Sequence, residues 1–261
     1  MSWRPRLVAL DVDGTIVDHR NTLSPAVRDA VLGLREQGIP VVIATGRAVP
    51  GVYDVLEKLG FREGLGVASN GSVVFNVDPF EVVHTTTFDA SEAVKRVLER
   101  VPEALVAVEE VGVGYRVNRA FPKGEITGEI ILDEVNRMVS QPVTRVVVRA
   151  PDHDRDEFSS LVEDLGLDGT NYYIGYTAWL DLAPEGVSKA SGLEVVCASM
   201  GLTAADVLAV GDGSNDVEMV RWAGRGVAMG QAPDELKQVA DDVTGTVEDD
   251  GLAAELSRWL D

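Results

Sequence analysis

The sequence predicts an α/β fold, in which a doubly wound parallel sheet is interrupted by an inserted α+β segment. Two observations lead to this prediction. Near both ends of the 261-residue chain, short apolar runs with the length of strands buried on both faces alternate with amphipathic helical stretches. The middle of the chain lacks that regular alternation, so we expect its elements to form a compact unit of their own.

The N-terminal part supplies the first strands of the predicted sheet. Apolar runs at 7–10, 40–44 and 66–69 are the strands, and helical stretches lie between them. The first helix opens at Ser24-Pro25, where serine is a good N-cap and proline suits the first turn. Strands and helices at this spacing imply right-handed crossovers, and therefore parallel pairing.

The same pattern resumes near the C-terminus, with strands at 207–210 and 226–229 around a helix at 216–223. The middle of the chain has a different pattern. Its predicted helices are one capped by Asp89, one near 129–138 and one around 158–165. Its predicted extended segments are 104–109, 113–118, 143–149 and 171–182. We therefore expect residues 1–83 and 184–261 to form the core domain and residues 84–183 the inserted domain.

Composition and charge restrict the classes of partner. An apolar content of 45% excludes wholesale disorder, and 43 acidic against 23 basic side chains give a net charge of −20. Nucleic acid is therefore an unfavourable partner, because binding to its phosphates requires clustered Lys and Arg. No apolar run suits a signal-peptide core or a membrane span, and a single cysteine fits a reducing compartment. We expect a soluble cytoplasmic protein, monomeric or homodimeric.

Two carboxylates follow the first predicted strand. Asp11 and Asp13, with Gly14 after them, stand where a buried strand ends. Charges next to a core are costly unless they are paired or bind a metal ion. Alone, the pattern is better explained by a turn at Asp13-Gly14 and a capping role for Asp11 than by a binding site.

Three further polar groups favour a binding site over a simple turn. Thr45-Gly46-Arg47 follows the second strand, Ser188-Lys189 opens a helix, and the run 211–216 follows the strand at 207–210. In open α/β sheets, ligands bind beyond the carboxyl ends of the strands. Clustered carboxylates with one lysine and one threonine suit a hard cation that bridges a phosphate.

On these residues the chain resembles the haloacid dehalogenase (HAD) superfamily of phosphohydrolases, in particular the Cof-like branch with a large inserted type IIB cap. The matching elements span nearly the whole chain and occur in the family's order: 11–15, 45–47, Asn70-Gly71, 186–189, 211–216, 226–230 and Asp250-Gly251. One position differs, since the family usually has Asn after the Val-Ala-Met-Gly run and this chain has Gln231.

The resemblance implies a Rossmann-like core, a substrate-specificity cap and Mg²⁺ as cofactor. Asp11 would be the nucleophile that forms an aspartyl-phosphate, and Asp13 would be the general acid and base. Mg²⁺ would be held by Asp11, the backbone carbonyl of Asp13 and Asp212.

The resemblance also implies which residues bind the phosphate. Thr45 and Lys189 would hold the transferring phosphoryl oxygens, with Asn215 nearby. Asp216 would orient Lys189 or a metal-bound water from behind the site. The remaining predicted substrate- and phosphate-binding residues are Gly46, Arg47 and Asn70.

The function expected from the resemblance is a Mg²⁺-dependent phosphatase acting on a small phosphorylated metabolite, such as a sugar phosphate or a phosphorylated cofactor. Two alternatives stay open. A sugar phosphomutase of the same superfamily would need basic cap residues for a second phosphate, for which the chain offers Arg116, Arg119, Lys123 and Arg145. The other alternative is a non-catalytic scaffold that binds a phosphorylated ligand.

Within the cap, the last extended segment alternates, which predicts two faces. Ala178, Leu180 and Leu182 belong to the face expected to pack on helices, together with Tyr172, Ile174 and Tyr176. The opposite face carries Tyr173, Thr177, Trp179 and Asp181.

Overall fold

A computed structural model describes residues 3–163, 170–174 and 178–261. The chain divides into two compact units. We call the first the core unit; it comprises Met1–Gly46, Val52–His84 and Ser188–Asp261. The second, the inserted unit, comprises Thr85–Val187 together with the short segment Arg47–Gly51. The sequence pattern contains no sign that this short segment groups with the inserted unit.

The strands of both sheets follow in chain order. They are β1 (Leu7–Leu10), β2 (Val41–Ala44), β3 (Leu65–Ala68), β4 (Val73–Asn76), β5 (Glu81–Thr85), β6 (Leu105–Glu110), β7 (Gly114–Val117), β8 (Glu129–Leu132), β9 (Val146–Arg149), β10 (Thr170–Ile174), β11 (Trp179–Pro184), β12 (Val207–Gly211), β13 (Arg225–Ala228) and β14 (Asp242–Val243).

The core unit is built on a sheet with the strand order β14-β13-β12-β1-β2-β3-β4-β5. From β14 to β3 each neighbouring pair is parallel, and β4 then returns antiparallel to β3. The first strand lies in the middle, with Leu7 paired to Val207 of β12 and Val8 to Val41 of β2. All four residues of β1 are buried, and each buried Leu or Val side chain contributes about 1.5–3 kcal/mol to folding.

The helices are α1 (Pro25–Glu36), α2 (Val49–Leu59), α3 (Ser91–Arg100), α4 (Val135–Met138), α5 (Arg155–Glu163), α6 (Lys189–Met200), α7 (Val217–Trp222), α8 (Asp234–Lys237) and α9 (Gly251–Leu256). As predicted, Ser24 caps α1: its side chain accepts a hydrogen bond from the Val27 amide at 3.1 Å. The described residues include no helix with the length and apolarity of a membrane span.

The inserted unit has a sheet of its own, ordered β10-β11-β9-β6-β7-β8. Its pairs are antiparallel except β7 with β8. One face of this sheet packs against α3, and the buried residues there include Val94, Val97, Val106, Val148 and Leu180. The α/β fold with an antiparallel-rich inserted unit confirms the predicted fold class.

The element predictions differ from the structure in several places. The segment 171–182, predicted as one extended stretch, contributes to two strands, β10 and β11, which pair antiparallel. Residues 129–138, predicted as one helix, form strand β8 and the short helix α4 instead. The run Glu129–Leu132 holds consecutive Ile and Leu side chains, and its backbone pairs with β7 rather than with itself. Strands β4 and β5, which extend the core sheet after the third parallel strand, are also absent from the prediction.

The predicted faces of the last cap segment are partly confirmed. Leu180 and Leu182 of β11 are fully buried in the apolar core, while Asp181 on the opposite face binds Arg145. Tyr172 is exposed, which contradicts its predicted packing on helices. Tyr176 and Thr177 lie outside the described residues.

A buried ion pair occupies the opposite face of the inserted sheet. Arg145 donates from Nε and Nη2 to the two carboxylate oxygens of Asp181 at 2.5 and 2.6 Å, and from Nη1 to the hydroxyl of Tyr115 at 2.6 Å. Both charged side chains are buried, and each compensates the charge of the other. Arg116 is similarly engaged by Glu110 and Asp133. These two arginines are therefore neutralised inside the unit.

Candidate active site

The predicted polar residues of the core unit gather at one edge of its sheet. Asp11 follows β1, Thr45 follows β2, Asn70 follows β3 and Asp212 follows β12. These four strands are neighbours and run parallel, so their carboxyl ends meet at the same edge. Asp11, Thr45 and Asn70 are almost completely buried even though they are polar. A group of buried polar side chains beyond the strand ends is typical of a ligand site.

Lys189 is the centre of this group. It is the first residue of α6, whose N-cap Ser188 forms a reciprocal capping box with Ser191. The Lys189 Nζ atom donates to Asp11 Oδ1 at 2.5 Å and to Asp216 Oδ1 at 2.7 Å, and the side chain is fully buried. Burial by itself would lower the pKa of Lys189, but the charges of Asp11 and Asp216 outweigh burial and raise the pKa. The amine is therefore a cation.

Asp216 holds the lysine from behind. Its Oδ2 atom accepts hydrogen bonds from the backbone amides of Asp212 and Gly213, both at 2.9 Å, while its Oδ1 faces Lys189. The carboxylate folds back so tightly that a Cβ on Gly211 would lie 2.3 Å from its Cγ. Asp216 thus fixes both the 211–213 loop and the amine, which is a positioning arrangement.

Three carboxylates converge next to the single lysine. One oxygen from each of Asp11, Asp212 and Asp216 lies within 4.8 Å of the others. Burial, together with the charge of Asp216, raises the pKa of Asp11 well above its usual range, although Lys189 acts in the opposite direction. Burial and Asp216 also raise the pKa of Asp212 to about 6. Burial and mutual repulsion therefore disfavour the ionised forms of Asp11 and Asp212, and an additional cation would favour them.

The donor set fits a hard divalent cation. Carboxylate oxygens are the ligands that Mg²⁺ prefers, and both oxygens of Asp216 are already used by lysine and amide hydrogens. Asp11 and Asp212 are thus the carboxylates best placed to bind an ion. Gly14 makes room for this arrangement, because it has a φ of +80° and a Cβ there would lie 2.0 Å from Asp212 Oδ2.

Asp13 lies at the edge of the cluster. Its side chain is exposed, because the chain turns back directly after β1: the amides of Ile16 and Val17 both donate to the carbonyl of Val12. The oxygens that converge in the cluster do not include an Asp13 carboxylate oxygen among the described groups. The predicted metal contact of Asp13 is through its backbone carbonyl, and the exposed side chain is compatible with that prediction.

Two asparagines and the Thr45 loop lie together. Asn215 Nδ2 donates to Asn70 Oδ1 at 2.9 Å, and the Asn70 amide donates to the Thr45 carbonyl at 3.0 Å. A Cβ on Gly46 would lie 3.1 Å from Asn70 Oδ1, so this glycine allows the close approach. Ser69 and Asn70 both have positive φ, at 51° and 53°, a conformation that costs free energy in non-glycine residues.

The loop that carries Asn70 packs directly on the helix that carries Lys189. Gly71 has a φ of +101°, and a Cβ there would lie 1.9 Å from the carbonyl oxygen of Ser188. On the helix side, a Cβ on Gly192 would meet Val67 at 2.6 Å. These two glycines let the loop and the helix approach, and thereby fix Lys189 relative to Asn70.

Of the predicted residues, the structure brings together Asp11, Lys189, Asp212 and Asp216 in one group and Thr45, Gly46, Asn70 and Asn215 in another within the core unit. Arg47 lies in the inserted unit, where its guanidinium donates to the carbonyl of Gly51 at 3.1 Å. Its place in the inserted unit separates it from the eight predicted residues that group within the core unit.

One residue at this edge was not predicted to have a role. Gln231 Nε2 lies 2.6 Å from the Gly14 carbonyl oxygen and 3.3 Å from Asp212 Oδ2. Its partners are distant in sequence, so periodicity and local motifs contain no signal for these contacts. The only sequence signal is its position directly after the 226–230 run.

Comparisons with known proteins agree on one family. A family model described as haloacid dehalogenase-like hydrolase matches residues 8–256. A phosphoglycolate phosphatase from Methanothermobacter thermautotrophicus is 30% identical, over 98% of this chain and 99% of that protein. The 5-amino-6-(5-phospho-D-ribitylamino)uracil phosphatase YcsE of Bacillus subtilis is 26% identical, over 98% of this chain and 96% of that protein.

A solved structure agrees as well. The crystal structure of a haloacid dehalogenase-like hydrolase from Bacteroides thetaiotaomicron superposes with a TM-score of 0.81 at 25% identity, covering 98% of this chain and 99% of that one. The similarity therefore extends over both units of the chain rather than over the core unit alone.

Proposed function

The chain belongs to the haloacid dehalogenase-like hydrolase family and is a phosphoric monoester hydrolase, and from this premise we propose a specific reaction. The protein is a Mg²⁺-dependent phosphatase that cleaves a small phosphorylated metabolite through a phosphoryl group carried on Asp11. The observation that carries the proposal is the buried Lys189, which bridges Asp11 and Asp216 beside the carboxylate of Asp212.

The first half of the reaction transfers the phosphoryl group to the protein. A carboxylate oxygen of Asp11 attacks phosphorus, the bond between phosphorus and the ester oxygen breaks, and Asp13 gives its proton to the departing alkoxide. Asp13 suits this role because its side chain is exposed and can exchange protons with water. Asp11 suits nucleophilic attack because Lys189 holds one of its oxygens and orients the other.

The second half releases phosphate and restores the protein. Asp13, now ionised, takes a proton from a water molecule, and the water oxygen attacks phosphorus while the bond to Asp11 breaks. Lys189 and Thr45 hold the phosphoryl oxygens during both steps, with Asn215 nearby. The lysine is a suitable partner for them because it is a buried cation, whose attraction to a developing negative charge is strong where water is excluded.

Mg²⁺ fits beside these residues. Asp11, Asp212 and the backbone carbonyl of Asp13 would hold it, and when bound it neutralises the phosphate dianion so that a carboxylate can approach. Asp216 serves this arrangement indirectly, since it holds the Asp212 amide and Lys189.

The inserted residues 84–183 are proposed to act as the cap that selects the substrate, a sugar phosphate or a phosphorylated cofactor. Two of the four basic residues that a phosphomutase could use for a second phosphate, Arg145 and Arg116, are already engaged by carboxylates, which weakens that alternative. The named relatives with phosphoglycolate and ribitylaminouracil activities are phosphatases of small molecules.

The test is phosphate release from p-nitrophenyl phosphate with and without Mg²⁺. Asp11→Asn removes the nucleophile and keeps the volume, so we expect activity to fall by at least about a thousandfold, as for loss of a covalent catalyst. Asp29→Asn, on the exposed face of α1, is the matched control and should keep full activity. Substantial activity of the Asp11 variant would contradict the mechanism.

The wild-type protein also distinguishes the phosphatase from the phosphomutase and from the non-catalytic scaffold. Incubation with a hexose phosphate gives free phosphate if the protein is a phosphatase and an isomeric hexose phosphate if it is a mutase. A non-catalytic scaffold would instead bind phosphorylated metabolites without turnover of any of them.

A further inference from the structure

Gln231 occupies a position where four loops of the core sheet meet. It follows β13 and contacts residues that follow β1, β12 and β14, which are its neighbours in the strand order β14-β13-β12-β1. Among the loops beyond the strand ends, it therefore links the one that carries Asp11 to the one that carries Asp212.

The contacts of Gln231 use both ends of its amide. Nε2 donates to the Gly14 carbonyl at 2.6 Å and lies 3.3 Å from Asp212 Oδ2, while Oε1 accepts a hydrogen bond from the Val247 amide at 3.1 Å. The opposite orientation of the amide would place its oxygen against two oxygens and its NH₂ group against an N–H donor. The three partners therefore determine which way the side chain points.

The contact with Asp212 involves the carboxylate that would bind the ion. Asp212 lies between Gly211 and Gly213, and its backbone is held by Asp216. The Gln231 amide is the side-chain donor that reaches its Oδ2 atom among the described hydrogen bonds. A donor to one oxygen fixes the rotation of the carboxylate and directs the other oxygen, as partners behind metal ligands commonly do.

We propose that Gln231 is a positioning residue that pre-arranges Asp212 and the Gly14 turn for binding of Mg²⁺. This inference rests on the proposed function only in so far as Mg²⁺ is the cofactor. A glutamine side chain is long enough to reach from the β13 loop to Gly14 and Asp212 at once, and Gln231 does so while its side chain stays exposed. Its loss should therefore affect ion binding more than folding.

The experiment compares Gln231→Met with the wild-type chain. Methionine keeps the length of the side chain and removes its hydrogen-bonding groups, and Gln238→Met, at another exposed glutamine just after α8, is the matched control. We expect isothermal titration calorimetry to give a Mg²⁺ dissociation constant about tenfold higher for Gln231→Met and unchanged for the control. With p-nitrophenyl phosphate, the Mg²⁺ concentration for half-maximal rate should rise equally, while kcat at saturating Mg²⁺ stays within about twofold.

Several results would overturn the inference. They are an unchanged dissociation constant in Gln231→Met, the absence of Mg²⁺ binding by the wild-type protein, and a lowered unfolding temperature of the metal-free variant, which would make the residue structural. If the wild-type protein binds Mg²⁺ but hydrolyses no phosphate ester, the proposed function fails, while a tenfold weaker Mg²⁺ affinity of Gln231→Met would still support the inference.

Discussion

At the residue scale, the two aspartates after β1 occupy different environments although only one residue separates them. Asp11 is buried and bonded to Lys189, whereas Asp13 is exposed on a turn. A buried carboxylate held by a cation keeps its geometry, and an exposed one can gain and lose protons. This contrast divides the proposed roles of nucleophile and proton carrier between them.

The role of Asp13 can be tested with a substrate whose leaving group needs no proton. In Asp13→Asn, p-nitrophenyl phosphate should still transfer its phosphoryl group, because p-nitrophenolate leaves without protonation, but the aspartyl-phosphate should then hydrolyse slowly. Stopped-flow absorbance should show a burst of about one p-nitrophenolate per protein and then a rate at least about a hundredfold below wild type. With an alkyl phosphate, whose leaving group does need a proton, a quenched-flow assay should show no burst of released alcohol.

Two outcomes for the Asp13→Asn variant would contradict the proposed role of Asp13. If the variant turns over p-nitrophenyl phosphate at the wild-type steady rate, Asp13 is not the general base. If it shows neither burst nor turnover, Asp13 is needed for binding or attack rather than for proton transfer.

At the element scale, the packing of the 69–71 loop on α6 is the contact that connects Asn70 with Lys189. We expect Gly71→Ala to destabilise the fold by more than about 2 kcal/mol, because the new Cβ would lie 1.9 Å from the Ser188 carbonyl oxygen and φ is positive. Gly38→Ala also has positive φ but meets nothing within 4 Å, so it should cost about 1 kcal/mol. Urea denaturation measures both, and equal costs would show that the contact is unimportant.

A second element-scale prediction concerns the buried pair in the inserted sheet. Arg145→Met leaves Asp181 buried without its partner and should destabilise the protein by about 3–5 kcal/mol. The double variant Arg145→Met/Asp181→Leu removes both charges and should be considerably more stable than the single one. Thermal and urea unfolding of the two variants provide the comparison, and equal losses would mean that the pair acts through shape alone.

The elements also show what a sequence pattern can determine. The parallel strands were predictable because strands buried on both faces are short apolar runs between capped helices, and the ends of such strands share one edge. The proximity of Asp11 to Asp212 follows from this rule. The pairing partner of 129–132 does not, because a run of Ile and Leu suits a strand or a helix until its neighbour is known.

The contacts made beyond the strand ends were less predictable. The bonds from Gln231 to Gly14 and Asp212, and the pair of Arg145 with Asp181, join residues far apart in sequence. The side-chain direction of Gln231 depends on a loop backbone that carries no periodic signal. The alternation in β11 predicted the face of Asp181 but not its partner on that face. The family resemblance indicated candidate positions, but it contained no indication that Arg145 is neutralised within the inserted unit.

At the scale of the whole molecule, the negative charge predicts that Mg²⁺ stabilises the fold. The chain carries a net charge of −20, and three carboxylates converge at the candidate site. Mg²⁺ at about 100 times its dissociation constant should stabilise the fold by about 2.7 kcal/mol, which raises Tm by about 5–10 °C for a chain of this size. Differential scanning fluorimetry at constant ionic strength measures the shift, with NaCl correcting for screening.

Asp212→Asn is the control for that measurement, since it removes one predicted ligand while keeping its volume. The variant should lose most of the Mg²⁺-dependent rise in Tm. An equal rise in wild type and variant would place the stabilising ion elsewhere on the acidic surface.

The central place of β1 in the core sheet affects the order of events during synthesis. Leu7 pairs with Val207, so the strand that leads to Asp11 leaves the ribosome long before one of its two neighbours exists. Until then its edge is open to pairing with other chains, and Lys189 and Asp212 are still to be translated. A nascent chain that stops within the inserted unit therefore has the proposed nucleophile without its cation, and the candidate site is complete only after Asp216 has been translated.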